Sequence, residues 1–382
     1  MQLRMINNIF KLAREAANTN YKGFFIVISF VCFFGLLLSD LLALPWGNFV
    51  SASCRWDCFW YSDIVKNGYP HLPLLYDPLR PAQGAWAFFP LYPLLTRATG
   101  YLLALNTQSA GLLVNVILWP FLIFLCYRDL ELRNIHVDRF LFSVLFVVYP
   151  FNIWYIAQYS EAIYGVLLMA AIVTLRSERV GLAALMCTLL STSRPTGFIM
   201  TICLSAWWLL STPRDRKNFI RNAVYRRISD SLLLVGAGGA GLSLFVLYLF
   251  YVTGDGFAFA HVEIAWNKKF RFFIFNILHA FNHKHERAFG IYALLSILVI
   301  GKMCSRKCAL NAFLVGTTAL LASSTGVQSI ERYVFANPLI MQFLACITLS
   351  CSRRLIWIAL IVMIIMHIVT TLLWYKESIL VI

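Results

Sequence analysis

Long apolar runs recur along almost the whole of this 382-residue chain, and they constrain its fold more than any other feature. The chain is 60% hydrophobic and only 13% charged, whereas soluble proteins are about a quarter charged. Because unpaired backbone polar groups are costly in lipid, apolar stretches of about 18 residues or more are expected to cross a membrane as helices. The sequence therefore predicts an all-α polytopic membrane protein with a bundle of about 9–12 transmembrane helices.

We treat residues 1–382 as a single membrane domain. The predicted spans are 24–44, 108–127, 140–156, 161–175, 180–192, 198–211, 231–252, 288–300, 308–322, 333–350 and 355–374. The first apolar run ends without a small-residue cleavage site, so we expect it to remain as the first helix. The apolar segment 88–105 contains two prolines and an arginine, which favours an interfacial or re-entrant helix over a full span.

The net charge of +15 follows the predicted topology. Its strongest basic cluster, "PRDRKNFIRNAVYRR" at 213–227, falls in a segment that we predict as cytoplasmic. This distribution agrees with the positive-inside rule and with contact to anionic membrane lipids. We expect no nucleic-acid partner, because the chain contains no recognisable nucleic-acid-reading module.

Polar and ionisable residues on the predicted non-cytoplasmic side occur in five places. They are the first outer loop 45–107, Glu161, Arg194, the second outer segment 253–287, and the pair Glu331–Arg332. Ionisable groups near membrane depth are costly, and they tend to be paired or functional. All five places are predicted to open on the same membrane face, so we expect them to line one cavity.

The richest of these places is "SCRWDCFWYSDIVKNGYP", residues 53–70, in which aromatic residues surround Asp57. A carboxylate in a partly dry environment is a stronger base than one in water, and Arg55 would oppose this effect. Aromatic rings beside a carboxylate also suit sugar binding. The alternative is an aromatic belt at the membrane interface with a solvated aspartate. Cys54 and Cys58 flank this motif, and their spacing is compatible with a disulfide without establishing one.

Five ordered motifs resemble those of the GPI mannosyltransferase 2 family, called PIG-V, and its bacterial relatives. They are "RWDCFWYSDIVKNGY" followed by "AFFPLYPLLTR", then "QYSEAIYGVLL", "TSRPTGFIM", "GDGFAFAHVEIAW" and "SIERYVFANPLIMQFLA", which together extend from residue 55 to about residue 345. The cysteines that flank Asp57 depart from the family pattern. The resemblance implies a GT-C glycosyltransferase, an inverting enzyme that takes a sugar from a polyprenyl- or dolichyl-phosphate donor.

The resemblance also implies roles for individual residues. Asp57 would be the general base. Arg332 and Arg194 are the first candidates to stabilise the leaving phosphate, followed by His261, Lys268 and Lys269. The alternatives are that Arg194 only ends a span and that Arg332 pairs with its neighbour Glu331. The complete set of predicted substrate-binding residues is Arg55, Trp56, Trp60, Tyr61, Asp63, Tyr69, Glu161, Arg194, His261, Trp266, Arg332 and Tyr333.

The expected partners are the lipid-phosphate sugar donor, a glycolipid or glycan acceptor, and membrane lipids. We expect no metal and no cofactor, since the chain lacks a phosphate-binding glycine loop and an Asp-x-Asp metal motif. The expected sugar is mannose. The expected location is a bacterial inner membrane with the site facing the periplasm, or otherwise the endoplasmic reticulum with the site facing the lumen. The alternative functions are a transporter or flippase of lipid-linked sugars and a non-catalytic subunit that handles them.

Overall fold

The protein is described from a computed structural model that covers residues 14–18, 20–71, 83–211, 221–266, 268, 270–305, 308–378 and 380. Within these residues, helices are the only regular secondary structure. The longer ones are α1 (Tyr21–Ala43), α2 (Asp57–Asn67), α3 (Leu91–Leu103), α4 (Thr107–Leu132), α5 (Arg139–Val147), α6 (Glu161–Arg176), α7 (Val180–Ser193), α8 (Pro195–Leu210), α9 (Arg221–Thr253), α10 (Phe273–Asn282), α11 (Arg287–Ser305), α12 (Ala309–Thr325), α13 (Pro338–Leu349) and α14 (Arg353–Tyr375). Single turns occur at Leu44–Trp46, Phe49–Ala52, Ala85–Ala87, Pro150–Asn152, Ile153–Ile156, Ala258–His261, Val262–Trp266 and Glu331–Phe335.

Five of these helical segments are long and apolar enough to cross a membrane. They are Tyr21–Trp46, Thr107–Leu132, Val224–Thr253, Arg287–Cys304 and Arg353–Tyr375. A sixth is formed by Arg139–Val147 and Pro150–Ile156 together, which are bent by 72°. The prediction of an all-α chain with several membrane-spanning helices is therefore confirmed for the described residues. Shorter helices occupy most of the other predicted spans.

Two predicted spans differ from the structure where prolines interrupt them. The predicted span 140–156 is broken after Val148, because Pro150 starts a new turn and cannot donate a backbone hydrogen bond to the preceding one. The predicted span 333–350 begins only at Pro338, where the Asn337 side chain accepts a hydrogen bond from the Leu339 amide at 3.0 Å. The segment 88–105 contains α3, whose 13 residues are too few to span a bilayer, as predicted.

Close helix packing in the centre of the protein depends on small residues. Helix α6 packs against α4 and α7, and α9 packs against both α7 and α8. Small residues let helices approach closely inside membranes, and α9 contains the glycine-rich stretch 236–241. A Cβ atom at Gly241 would collide with the backbone carbonyl of Thr188 in α7. This contact fixes the α7–α9 pair, and α7 ends beside the candidate site.

The loop between α5 and α6 is bonded to the first outer loop. Asn115 of α4 donates hydrogen bonds to the carbonyl oxygens of Ala157 and Tyr159, the second at 2.8 Å. The Gln158 side chain donates to the Val50 carbonyl at 2.8 Å. These buried bonds hold the residues just before α6 against the residues just before α2. The start of both helices is thereby placed in one region.

Candidate active site

Asp57 is the first residue of α2, and a short disulfide-bonded loop positions it. Cys54 and Cys58 form a disulfide, so Asp57 lies inside the closed loop. Trp56 has φ 48°, a left-handed backbone conformation that is unfavourable for a bulky residue. Strained residues of this kind persist where the surrounding structure holds them, and they cluster at functional sites. The disulfide, which sequence spacing alone did not establish, encloses the strained residue and the carboxylate.

Asp57 begins a chain of ion pairs that joins four distant parts of the sequence. Its Oδ2 atom accepts a hydrogen bond from Nη1 of Arg332 at 2.6 Å. The Nε atom of Arg332 donates to Oε1 of Glu161, which also accepts from Nη1 of Arg194 at 2.7 Å. We call these residues the Asp57–Arg194 cluster. Two carboxylates and two guanidinium groups give the cluster a net charge of zero.

The members of this cluster differ in how far their side chains are exposed. The side chains of Arg332 and Glu161 are 6% and 5% exposed, whereas that of Asp57 is 26% exposed. A buried ion pair is costly to break because the remaining charge is left in a low-dielectric interior. The inner members are thus held in place, and Asp57 presents a carboxylate at the open end. The alternative interpretation, in which Arg332 pairs with its neighbour Glu331, is not what the structure shows, since the ion pairs of Arg332 are with Asp57 and Glu161.

Tyr159 is a member of this region that the sequence analysis missed. Its hydroxyl donates to the Arg55 carbonyl at 3.0 Å and accepts from the Asp57 backbone amide at 3.1 Å. The Arg332 guanidinium carbon lies 4.5 Å from the centre of the Tyr159 ring. Tyr159 therefore supports both partners of the Asp57–Arg332 ion pair. Its position two residues before Glu161 in "QYSEA" was the available signal.

Three cations surround the ring of Tyr333. Arg194, Arg332 and Lys268 lie 5.4, 5.7 and 5.8 Å from its centre, within the range of cation–π attraction. The Lys268 ammonium also pairs with Glu263 at 2.9 Å. Burial alone would lower the pKa of Lys268, but Tyr333 and the carboxylates of Glu263 and Asp57 raise it above its ordinary value. Lys268 is therefore charged at neutral pH.

An aromatic wall stands beside Asp57. The Trp60 ring stacks on Phe88 at 5.9 Å between centres, and Trp266 meets both rings edge-on at 6.1 and 6.2 Å. Tyr61 packs edge-on against Phe88 at 5.2 Å and donates its hydroxyl to Ser160 at 2.8 Å. The predicted residues Trp60, Tyr61 and Trp266 are thus brought together, and the Phe-Phe-Pro motif supplies Phe88.

Several polar atoms at this site lack a partner among the described residues. The second carboxylate oxygen of Glu161, Oε2, is buried without a hydrogen bond, as is Nε1 of Trp56. The Oδ1 atom of Asp57 likewise accepts no hydrogen bond within the described part of the chain. Buried polar groups are nearly always paired in native proteins. These atoms are therefore well placed to bind a polar ligand.

Some predicted site residues have their contacts elsewhere. Arg55 pairs with Glu377 at 3.3 Å and donates to the Ser51 and Cys54 carbonyls, and it forms no ion pair with Asp57 among the described residues. Asp63 accepts a hydrogen bond from Asn67 at 2.6 Å. The ring of Tyr69 packs against Phe245 and Tyr248, and His261 pairs with Asp255 at 2.7 Å. Lys269 and residues 213–220 lie outside the described residues.

A cavity of about 260 Å³ adjoins the aromatic wall. Its lining includes Trp266, Lys268, Arg271, Asn276, His279 and Glu286. Trp266 belongs to the aromatic wall and Lys268 contacts Tyr333, whereas none of the four residues of the Asp57–Arg194 cluster is among the lining residues. Asp57, Glu161, Arg194 and Arg332 come together as ion pairs, and Lys268 of the second outer segment lies near Tyr333, but the prediction that these places line one cavity is not met by this cavity, which only the second outer segment lines among them.

Comparisons with known proteins give weak structural likenesses. No protein-family model matches the chain, and no curated protein sequence does. The chain is similar to the oligosaccharyltransferase of Archaeoglobus fulgidus in complex with zinc and sulfate, with 14% identity, a TM-score of 0.47, and coverage of 89% of this chain and 53% of that one. It is also similar to the oligosaccharyltransferase AglB from Archaeoglobus fulgidus with an inhibitory peptide and a dolichol-phosphate, with 13% identity, a TM-score of 0.46, and coverage of 91% and 55%. The chain thus spans about half the length of these proteins, and likenesses this low carry no argument about its activity.

Proposed function

We propose that the protein is a membrane glycosyltransferase of the GT-C type that transfers a sugar from a polyprenyl-phosphate donor to a hydroxyl acceptor. The observation that carries the proposal is the Asp57 carboxylate at the open end of a buried ion-pair chain, 2.6 Å from Arg332. Such a carboxylate is paired with a cation, fixed in orientation and open to a ligand on one side. Those are the properties that a general base needs.

Asp57 acts first on the acceptor. Its unpartnered oxygen accepts the proton of an acceptor hydroxyl while the acceptor oxygen forms a bond to the anomeric carbon of the donor sugar. The bond between that carbon and the donor phosphate breaks at the same time, and its electron pair remains on the phosphate oxygen. The products are the glycosylated acceptor, with inverted configuration at the anomeric carbon, and a polyprenyl phosphate.

The aromatic wall and the unpartnered polar atoms support sugar as the ligand. The faces of Trp60 and Trp266 suit the apolar face of a sugar ring, and Oε2 of Glu161 and Nε1 of Trp56 are available to hydroxyl groups. The Asp57–Arg194 cluster has no net charge, so it binds a neutral sugar without an electrostatic penalty. Mannose is the sugar to test first, because the PIG-V resemblance of the motifs implies it.

We further propose that this site faces away from the cytoplasm. Disulfides persist in oxidising compartments and are rare in the cytosol. The Cys54–Cys58 disulfide encloses Asp57 itself. The periplasmic face of a bacterial inner membrane is the first choice, and the lumen of the endoplasmic reticulum is the other compartment that fits.

The test is transfer by the purified full-length protein in detergent. The protein receives undecaprenyl-phosphate mannose and a panel of glycolipid and glycan acceptors, and the product is analysed by mass spectrometry and NMR. The expected result is a mannosylated acceptor with inverted anomeric configuration and release of undecaprenyl phosphate in equal amount. A retained configuration would exclude the role of Asp57 as general base. Vesicle transport of the donor without its consumption would instead favour a flippase.

A further inference from the structure

The positive charges of the Asp57–Arg194 cluster are already paired with carboxylates. The phosphate that departs from the donor would therefore find no unpaired cation within the cluster. Arg332 already binds Asp57 and Glu161, and Arg194 binds Glu161. Both arginines were predicted to hold the phosphate, yet their charges are neutralised by carboxylates in the structure. A departing phosphate therefore needs another cation close to the aromatic wall.

The adjoining cavity provides that cation. Arg271 lines the cavity, and within the described residues its guanidinium forms no ion pair. Lys268 lines the same cavity and lies 5.8 Å from the centre of the Tyr333 ring, but its charge is paired with Glu263 at 2.9 Å. The only lining carboxylate named above, Glu286, faces His279 at 3.6 Å. Arginine suits phosphate because its planar fork donates two parallel hydrogen bonds.

The segment that contains Arg271 and the start of α10 is hydrogen-bonded to the end of α12. The Arg271 backbone amide donates to the Ser324 carbonyl at 2.8 Å, and the Asn276 side chain donates to the Ser323 carbonyl at 2.8 Å. Both bonds tie the start of α10 to the end of α12. Arg271 is therefore held at a fixed place on the cavity edge.

Helix α10 and the residues just before it present an apolar surface next to the cavity. Phe270, Phe272, Ile274, Phe275 and Leu278 are between 44% and 82% exposed. Large exposed apolar patches mark contact with lipid or with a partner. The polar side chains of Asn276 and His279 on the same short helix line the cavity. We call this apolar surface the α10 stripe. A ligand with an anionic head in the polar cavity and a hydrocarbon chain along the α10 stripe would match both the cavity and the apolar surface.

We propose that the cavity binds the phosphate of the polyprenyl-phosphate donor through Arg271, with the polyprenyl chain along the α10 stripe. The cavity volume of about 260 Å³ is below the range of about 300–1,000 Å³ for drug-sized ligands, so it accommodates a headgroup and not a whole lipid. Trp266, which belongs both to the cavity lining and to the aromatic wall, then lies beside the bond between the phosphate and the sugar, and the sugar lies against the aromatic wall. This assignment rests on the proposed glycosyltransferase function.

Binding of radiolabelled undecaprenyl phosphate tests the site without any transfer reaction. The full-length protein is placed in nanodiscs of uncharged lipid, and Kd is measured for wild type, Arg271→Gln and Lys284→Gln. Lys284 is an exposed lysine on the same outer segment that does not line the cavity. Loss of a charge-assisted bond is expected to raise Kd about tenfold or more for Arg271→Gln only. An unchanged Kd in Arg271→Gln would overturn the proposal.

Competitors distinguish a polyprenyl-phosphate site from other anion sites. Undecaprenol, which lacks the phosphate, and inorganic phosphate, which lacks the chain, are each expected to compete poorly. Equal competition by inorganic phosphate, or by phosphatidylglycerol, would contradict a site for the donor lipid. Phe275→Ser is expected to weaken undecaprenyl phosphate binding, while Phe313→Ser, an exposed phenylalanine on α12, is expected to leave it unchanged. Equal effects of the two changes would contradict the chain position.

The two proposals fail in different ways. Arg271-dependent binding without sugar transfer would refute the proposed function and leave an anionic-lipid site in place. Sugar transfer with an unchanged donor KM in Arg271→Gln would refute this site and leave the function in place.

Discussion

Asp57 and Arg332 are 275 positions apart in the sequence, and their side chains form an ion pair of 2.6 Å. Arg332 also binds Glu161, so one guanidinium fixes two carboxylates from two different segments. Because the Arg332 side chain is buried, the surrounding protein, and not solvent, fixes the geometry of the ion pair. We regard this relationship as the structural basis of the site.

Replacement of Arg332 by lysine tests that relationship. An ammonium is a point charge and cannot hold two carboxylates with the fixed fork of a guanidinium. Arg332→Lys is expected to fold and to lose about a hundredfold in kcat, since small misplacements of a catalytic group have effects of that size. Steady-state kinetics and thermal unfolding in detergent measure the two properties. Arg55→Lys, whose guanidinium pairs with Glu377, is the matched control and is expected to keep most of its activity.

Removal of the disulfide tests whether the loop around Asp57 is held by it. By the chain-entropy relation, a loop this short contributes about 2 kcal/mol to the free energy of unfolding. Cys54→Ser/Cys58→Ser is therefore expected to lower the unfolding temperature and to reduce kcat more than it changes KM. Dithiothreitol should have the same effect on wild type and none on the double variant. Full activity after mass spectrometry has shown reduction of the bond would refute a positioning role for the disulfide.

Much of the fold follows from the sequence because lipid imposes a simple rule. In lipid, the backbone N–H and C=O groups of each apolar run must form their hydrogen bonds within a helix. The helices were therefore predictable from the apolar runs of the sequence. Pro150 and Pro338 shifted the helix boundaries because proline has no backbone N–H to donate. An average of hydropathy over a window of residues does not detect this effect of proline. The placement of 88–105 outside the set of spans followed from its prolines and its arginine.

The candidate site was less predictable, because its ion pairs join residues that are distant in sequence. The "WD" motif indicated Asp57, and the polar positions of the outer side indicated Glu161, Arg194 and Arg332. The sequence offered Glu331 as the partner of Arg332, yet adjacent residues in a helical turn point in different directions. Tyr159 was missed because its role depends on the backbone of a different loop. Arg271 was not singled out, although it lies three residues after Lys268, because only the folded structure shows that it lines the cavity.

Two glycines of α9 allow a direct test of the helix packing. A side chain at Gly241 would collide with the Thr188 backbone, whereas Gly236 faces open space. Gly241→Ala is expected to destabilise the protein by about 1–3 kcal/mol, because α7 and α9 would have to separate. Gly236→Ala is expected to be neutral or to stabilise by about 0.5–1 kcal/mol, since alanine is the better helix former. Thermal unfolding of both variants checks this, and equal unfolding temperatures would contradict the packing.

The pair Asp57→Asn and Asp63→Asn tests the central claim most directly. Both residues lie in α2, and both changes replace a carboxylate by an amide of the same size. Asp57 meets Arg332, while Asp63 accepts a hydrogen bond from Asn67. The measurement is the rate of sugar transfer from undecaprenyl-phosphate mannose by each folded variant, with the unfolding temperature as a control. The account predicts a loss of at least about a hundredfold for Asp57→Asn, the lower range for general base catalysis, and near wild-type transfer for Asp63→Asn. Normal transfer by a folded Asp57→Asn protein would contradict it.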